Sequence, residues 1–264
     1  MKKLLSFVFI SLLILACKEE KKESNYQDET LNVTTSIYPE EITKVFDTHG
    51  GIDSWNTFHG LSYEIEKPTV NEKHKVNLKS RESIIDGEHH QLGFDGENVW
   101  LKEKDTVGFK SNPRFYYNLM FYFYAMPFIL GDDGINYGKA EPLNFEGKSY
   151  PGILISYEAG IGESPEDEYI LYYDPDTNQM AWLGYTVTYF SKEKSKEFHF
   201  IKYNSWTTVN GVQLPETLHW YKYENNRPTT FRNEVKFVNV KLSEEAFDPA
   251  VFAIAEGATI VPKE

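Results

Sequence analysis

The chain has 264 residues, with 40 acidic and 27 basic side chains and a formal net charge of −13. Because it has no basic cluster that could neutralise phosphates, its composition excludes nucleic acid as a partner. A single cysteine excludes an intrachain disulfide, so the folded part must be stabilised by its own core.

The N-terminus has the features of a secretory signal. Lys2 and Lys3 are basic, residues 4–15 are uncharged and apolar, and Ala16 and Cys17 follow. This apolar stretch is shorter than the roughly 20 residues that a membrane-spanning helix needs. A basic start, a short apolar stretch and a small residue in this order predict a signal peptide over residues 1–16.

Residues 14–17, ILAC, also resemble a bacterial lipobox, in which the cysteine is acylated and becomes the new N-terminus. The resemblance implies lipidation of Cys17 and membrane attachment through its acyl chains. The alternative is an ordinary signal peptide followed by an incidental cysteine. We therefore expect a cell-envelope protein, an outer-membrane lipoprotein at the periplasmic face or at the cell surface.

Polar sequence follows the cysteine. Residues 18–31, KEEKKESNYQDETL, are charged and nearly free of apolar side chains, so we predict an acylated cysteine and disordered tether over residues 17–35. Lys18-Glu19-Glu20 is similar to the export signal of surface-displayed lipoproteins of Bacteroidetes-type bacteria; the alternative is a plain soluble spacer. One domain is expected over residues 36–264.

The folded part is expected to begin with a helix over residues 36–46. Ser36 is suited to cap it, and Pro39 suits its first turn. Apolar side chains recur at helical spacing, at Ile42, Val45 and Phe46. The His-Gly-Gly sequence at 49–51 predicts its end, since glycine accepts the left-handed backbone of a helix stop. For His49 this position favours a capping or packing role over catalysis.

A period-two pattern replaces the helical one after Trp55. It predicts about ten antiparallel strands joined by short hairpin turns. The clearest turn is FDGENVW (94–100), where Asp95-Gly96 separates two strand-like runs. In NEVKFVNVKL (233–242) the apolar alternation shifts by one residue, which predicts either a β-bulge or a curved strand that is covered on both faces. A short closing helix is expected from Ser243 to about Phe252.

The central segment, PRFYYNLMFYFYAMPFIL (113–130), is rich in aromatic residues. Eight of the 14 positions from Phe115 to Phe128 are Phe or Tyr. If these side chains were exposed, their apolar surface area would exceed the roughly 300–600 Å² of the largest apolar patch on a typical monomer. A membrane span is not expected, because the segment is short and contains Pro127. Either it plugs the concave face of the sheet as core, or it forms a lid that lines a cavity open to an apolar ligand.

These elements predict a mainly β (α+β) fold, with a strongly curved antiparallel sheet or half-barrel. An N-terminal helix precedes the sheet, and a central aromatic-rich helix closes its concave face.

Several of these stretches stand in the order seen in a known group of lipoproteins. DTHGGIDSW (47–55), FDGENVW (94–100), the aromatic block ending at residues 125–128 and NGVQLPETL (210–218) resemble DUF6503-type lipoproteins of Bacteroidetes. These are related more distantly to LolA/LolB-like and MucB/RseB-like lipoprotein carriers. The resemblance covers most of residues 36–255. It implies an open half-barrel closed by helices around an apolar cavity that accepts acyl chains, and no functional motif carries over residue by residue.

The sequence therefore favours a membrane-anchored carrier or sensor of an apolar or amphipathic ligand, such as an acyl chain or a lipoprotein. The residues expected to bind this ligand are Phe115, Leu119, Tyr122, Phe123 and Met126 from the central segment, with Trp100 and Trp182 from strands. The alternative function is a surface-displayed glycan- or protein-binding accessory module without a ligand cavity. In that module the exposed stacking platforms would be Trp55, Trp206 or Trp220.

Sequence signals for catalysis and metal binding are absent. The seven histidines lack the HxH, HExxH and H-x₃-H spacings of metal sites. No nucleophile elbow or phosphate-binding loop occurs, and the acidic run ESPEDE (163–168) lacks the oxygen spacing of a calcium loop. We expect no metal, no cofactor and no enzyme activity, with a hydrolase of unrecognised site as a third hypothesis.

Overall fold

The computed structural model describes residues 37–157, 164 and 166–263. The predicted signal peptide over residues 1–16, the lipidation of Cys17, the tether to residue 35 and the Ser36 cap therefore lie outside the described residues. So does part of the acidic run at 163–168.

Four short helices and thirteen strands make up the described part of the chain. The helices are α1 (Glu40–Thr48), α2 (Ile52–Asn56), α3 (Pro113–Tyr116) and α4 (Leu119–Tyr124), and 3₁₀ turns lie at Phe128–Gly131 and Pro249–Val251. The strands are β1 (Gly60–Ile65), β2 (Glu72–Asn77), β3 (Ser83–Asp86), β4 (His90–Phe94), β5 (Val99–Glu103), β6 (Ile135–Phe145), β7 (Lys148–Tyr157), β8 (Tyr169–Tyr173), β9 (Met180–Tyr185), β10 (His199–Val209), β11 (Val212–Glu224), β12 (Arg227–Ser243) and β13 (Thr259–Val261). None of these helices is long and apolar enough to cross a bilayer.

All thirteen strands belong to one antiparallel sheet. Their order is β13-β5-β4-β3-β2-β1-β12-β11-β10-β9-β8-β7-β6, and every neighbouring pair is antiparallel. Most neighbours in the sheet are also consecutive in the chain, as the short hairpin turns in the sequence predict. Because β13 and β6 are edge strands, the sheet is not closed into a barrel.

The sheet is curved around the central segment. Tyr116 of this segment donates a hydrogen bond to Glu72 on β2, and Tyr137 on β6 donates one to the carbonyl of Leu130. β2 and β6 are eight strand spacings apart, which is about 38 Å in a flat sheet. The segment from Tyr116 to Leu130 spans at most about 22 Å as a helix. The two strands meet the same short segment only because the sheet bends, so the predicted mainly β fold with a curved antiparallel sheet is confirmed.

The predicted leading helix is present, but it begins four residues later and ends two residues later than expected. α1 starts at Glu40 with Pro39 at its N-cap position, and its buried side chains are Ile42, Val45 and Phe46. Gly50 has a φ of 104°, which only glycine adopts easily. A Cβ on Gly50 would lie 2.4 Å from the carbonyl oxygen of Gly211 in the β10–β11 turn. The helix stop therefore also lets α1 approach the sheet closely, which the sequence did not indicate.

His49 lies in this helix stop and is fully buried. Its Nδ1 is 2.8 Å from the carbonyl oxygen of Val45, and its ring packs against Trp206 at a centroid distance of 4.4 Å. Burial lowers the pKa of His49 to about 4, although the hydrogen bond to Val45 opposes this. The position fits the packing role that the sequence favours.

We expect His49 to make the protein sensitive to mild acid. Below the ordinary histidine pKa of about 6.5, the unfolded chain binds a proton that the buried ring does not accept. The free energy of unfolding should thus fall by up to about 3 kcal/mol as the pH drops from 6.5 to 4. Urea titrations at both pH values should show this loss in the wild type and a smaller one in His49→Phe. Replacing the exposed His59 by glutamine should keep the wild-type difference; an equal loss in His49→Phe would contradict the assignment.

Two further local predictions are confirmed. FDGENVW forms the β4–β5 hairpin, with Phe94 opposite Val99 and Gly96 at a φ of 97°. In β12 the register with β1 shifts between the pairs Ser62–Lys241 and Glu64–Val238. Asn239, which lies between them, has a φ of 55°, as expected where a bulge bends a strand.

The predicted closing helix from Ser243 to Phe252 is wrong. β12 continues to Ser243, and only a 3₁₀ turn at Pro249–Val251 follows. Asp248 caps that turn by accepting a hydrogen bond from the backbone of Ala250 at 2.9 Å. Proline directly after a capping aspartate favours the start of a new helical turn at residue 249 over the continuation of an earlier helix.

Candidate functional site

The central aromatic segment consists of two short helices rather than the single helix that the sequence predicts. α3 is capped by Asn112, whose Oδ1 accepts a hydrogen bond from the backbone of Phe115 at 3.0 Å. α4 begins after Asn118, whose backbone φ of −122° is not helical. Asparagine competes for backbone hydrogen bonds and favours such cap positions. The break at Asn118 places Arg114 and Phe115 in α3, separate from α4.

Most of the segment fills the concave side of the sheet. The ring of Tyr124 contacts Tyr63 on β1 and Phe237 on β12, at centroid distances of 4.3 and 4.4 Å. Tyr203 on β10 donates a hydrogen bond to the carbonyl of Phe123 at 2.7 Å. These side chains belong to the main core cluster, together with the buried face of α1. Much of the segment is therefore core.

A cavity of about 150 Å³ remains between the segment and the ends of β7 and β8. Its wall combines apolar and aromatic side chains with a group of polar ones. The described residues that line it are Phe115, Leu119, Tyr122, Phe123, Ile129, Tyr157, Tyr169, Tyr189, Arg114, Asn118, Asp132, Asp133, Ser164 and Asp167. Four of the seven predicted ligand-binding residues are in this list, namely Phe115, Leu119, Tyr122 and Phe123.

The cavity wall carries both apolar and polar groups, and these differ in their exposure to solvent. Phe123 and Ile129 are almost fully buried, whereas Asp133 is exposed to solvent. Tyr157 and Tyr169 also lie on the wall. Burial, followed by nearby tyrosine and aspartate groups, raises the pKa of both phenols, so their hydroxyls stay neutral and can donate hydrogen bonds. An amphipathic molecule would find apolar and polar partners in one cavity.

Charged groups on the cavity wall are mostly anchored by protein contacts. Asp132 forms an ion pair with Arg81. Asp167 accepts hydrogen bonds from the backbone of Thr188 at 2.7 Å and from the hydroxyl of Thr186 at 3.4 Å. Burial raises the pKa of Asp132 and of Asp167, against the effect of these partners. Arg114 in α3 is 3% exposed and adds a positive charge to the wall.

Three predicted ligand residues lie away from the cavity. Met126 is fully buried in the main core cluster. Trp100 on β5 donates a hydrogen bond to the carbonyl of Phe252 at 3.0 Å. Trp182 belongs to a separate cluster with Leu143, Tyr172 and Phe200, because its neighbour Leu183 takes the inward position on β9. The structure does not bring these three together with the cavity residues, and ligand binding by the other four stays a prediction.

Sequence reasoning missed the polar part of the cavity. Asp132 and Asp133 follow the aromatic block and were given no role, and the acidic run that contains Asp167 was considered only as a calcium loop. Tyr157 and Tyr169 end and begin neighbouring strands, and only the register of β7 and β8 brings them together. The concentration of acids in GDDG and ESPEDE was the one available signal.

The three tryptophans of the alternative function differ in their exposure to solvent. Trp55 is 4% exposed and stacks on Phe128 at a centroid distance of 4.8 Å. Trp206 and Trp220 are half-buried and pack against the main core cluster. The expectation of an exposed platform is therefore wrong for Trp55, whereas stacking by the partly exposed Trp206 or Trp220 stays a prediction.

The described residues contain no group of three or more His, Cys, Asp or Glu side chains that could bind a metal ion. A second, more open groove of about 330 Å³ lies between the start of α1 and strands β6 to β8. Its described lining includes Ile42, Tyr137 and Ile153 but no predicted ligand residue.

No family model and no curated protein matches the chain. Solved structures of similar fold include a DUF1329 family protein from Desulfovibrio piger, with 11% identity, a TM-score of 0.47, and coverage of 81% of this chain and 98% of that one. A LolA superfamily protein from Nitrosomonas europaea has 8% identity, a TM-score of 0.43, and coverage of 74% and 88%. MucB has 7% identity, a TM-score of 0.26, and coverage of 84% and 64%. The chain is thus distantly similar to LolA-superfamily, DUF1329 and MucB structures, and the finer DUF6503 assignment stays a prediction.

Proposed function

We propose that this protein binds an apolar or amphipathic ligand, such as an acyl chain, in the cavity beside the aromatic segment. It would act as a carrier or sensor held at the cell envelope by lipidated Cys17. The observation that supports this most directly is the wall itself, where Leu119 and Phe123 face the same space as Asp167 and Tyr169. Binding sites for small molecules typically combine an apolar lining with a few convergent polar groups.

The size of the cavity limits the part of a ligand that enters. An apolar cavity of about 150 Å³ accepts a molecule the size of benzene, whereas sites for larger ligands measure about 300–1,000 Å³. The space therefore suits one end of a chain or a single ring. Each methylene group moved from water into it would contribute about 0.8 kcal/mol.

We expect a substitution that fills the cavity to weaken binding. In Leu119→Trp the indole should displace about two methylene groups of the ligand, and the Kd for 1-octanol should rise about tenfold or more. Isothermal titration calorimetry of the purified protein measures this. Leu101→Trp is the matched control, because Leu101 is also half-buried but lies on β5 in another cluster.

Two results would contradict the proposal. One is the absence of any heat of binding with 1-octanol, together with native mass spectra that show only bare polypeptide. The other is equal binding by Leu119→Trp and the wild type, which would place the ligand outside this cavity.

A hydrolase is the second candidate function. The observation in its favour is that two carboxyls of raised pKa, the half-buried Asp132 and the buried Asp167, lie on one cavity wall, as in many active sites. Against it, Asp132 is paired with Arg81 and Asp167 is bonded to Thr188 and Thr186. Turnover of p-nitrophenyl octanoate that is lost in Asp167→Asn would favour the hydrolase over the carrier.

A further inference from the structure

Negative charges outnumber positive ones on the cavity wall. Of the described lining residues, Asp132, Asp133 and Asp167 are acidic and Arg114 is basic. Arg81 balances Asp132 from outside the lining. Glu166 and Glu168 flank Asp167 in the sequence, and Lys194 approaches Glu166 at 3.9 Å. The described charged groups of the cavity wall thus carry a net negative charge, in a chain that is itself strongly acidic.

The carboxylates share the cavity wall with two phenols that could contact a ligand's polar part. Asp132 and Asp167 line the same cavity as Tyr157 and Tyr169. Asp133, next to Asp132 in the sequence, also lines the cavity and is exposed to solvent. Charges that line a cleft with apolar walls concentrate their field inside it. A carboxylate ligand would bring a like charge into that field, whereas an amine or a hydroxyl would not.

We propose that this cavity selects amphiphiles whose polar group is cationic or neutral, an amine or a hydroxyl, and disfavours carboxylates. Asp133 and Asp167 are the residues that determine this selection, because Asp132 is balanced by Arg81. An ammonium group would pair with these carboxylates, and a hydroxyl would donate to them or accept from Tyr157 and Tyr169. The inference rests on the proposed function, since it names the ligand class of the same cavity.

Three ligands with the same eight-carbon chain test the selection, because they differ only in the polar group: octylamine, 1-octanol and octanoate. Titration calorimetry of the purified protein at pH 7.5 and low salt should give a Kd for octylamine about tenfold or more below that for octanoate, with 1-octanol between them. Raising the salt to about 0.5 M should reduce the advantage of octylamine.

Variants identify the responsible residues. In the double variant Asp133→Asn with Asp167→Asn, the ratio of the two dissociation constants should shrink to about threefold or less, because asparagine keeps the acceptor for Thr188 but not the charge. Glu141→Gln, an exposed residue of β6 outside this cavity, should leave the ratio unchanged.

Three outcomes would overturn the inference. Octanoate that binds as tightly as octylamine would refute the charge selection while leaving the proposed function in place. Octylamine binding that Leu119→Trp does not weaken would show attachment elsewhere on the acidic surface. Failure of all three ligands to bind would remove the proposed function and this inference together.

Discussion

Replacing Trp100 by alanine is expected to lower the free energy of unfolding by about 3–5 kcal/mol. The side chain is fully buried, and its indole lies against the backbone of Gly93 on β4. A Cβ at Gly93 would be 2.3 Å from the ring, so no other residue fits there without moving the indole. The substitution also leaves the carbonyl of Phe252 without its indole donor. Chemical denaturation at neutral pH measures the change.

The neighbouring strand offers a control for this prediction. Ile260 on β13 is directly opposite Trp100 in the sheet but is half exposed, so Ile260→Ala should cost about 1 kcal/mol or less. Because Trp100 does not line the cavity, folded Trp100→Ala protein should bind 1-octanol as the wild type does. A loss of stability below about 1 kcal/mol would contradict the packing role, and a specific loss of octanol binding would restore Trp100 as a ligand residue.

Trp100 also illustrates where sequence reasoning loses information. Its place on a strand was clear from the FDGENVW turn, which local backbone preferences determine. Its partner Phe252 is 152 residues away in the chain, and no local pattern indicates such a contact. The prediction that Trp100 lines a cavity failed for this reason.

Trp182 shows a second limit. Alternation along β9 puts Trp182 and Leu183 on opposite faces, and both are fully buried, in different clusters. When both faces of a strand are apolar, a period-two pattern predicts the strand but not which face is concave. The burial of the aromatic segment was easier to predict, because it followed from the amount of apolar surface alone. Its interruption at Asn118 depended on backbone hydrogen bonds that compete with the helix.

Two polar side chains, Glu72 and His74, share the buried face of β2 with Val76. Glu72 Oε1 accepts hydrogen bonds from His74 Nε2 and from the hydroxyl of Tyr116, both at 2.8 Å. His74 stacks on Tyr63 at a centroid distance of 4.6 Å. This network connects the sheet to α3, which carries Phe115 of the cavity. Burial alone would raise the pKa of Glu72, but the hydrogen bond and charge of His74, with help from Tyr116, lower it to about 2.

Removing this carboxylate should therefore be among the most damaging single substitutions in the sheet. Glu72→Ala leaves the imidazole of His74 and the hydroxyl of Tyr116 without their acceptor in a buried site. We expect a loss of about 3–5 kcal/mol in the free energy of unfolding at pH 7, typical of a broken buried pair. Lys73→Ala, on the exposed face of the same strand, should stay within about 0.5 kcal/mol of the wild type.

The acid response of Glu72 gives an independent measurement of the same network. Between pH 4.5 and 2 the unfolded chain binds a proton at this residue that the folded protein does not, so wild-type stability should fall as the pH drops through this window. The depressed pKa corresponds to about 3 kcal/mol, and this part of the loss should be missing in Glu72→Gln. Parallel stability curves for Glu72→Gln and the wild type across this window would show that the carboxylate is not held ionised by His74. A stability of Glu72→Ala within about 1 kcal/mol of the wild type would show that the network does not stabilise the fold.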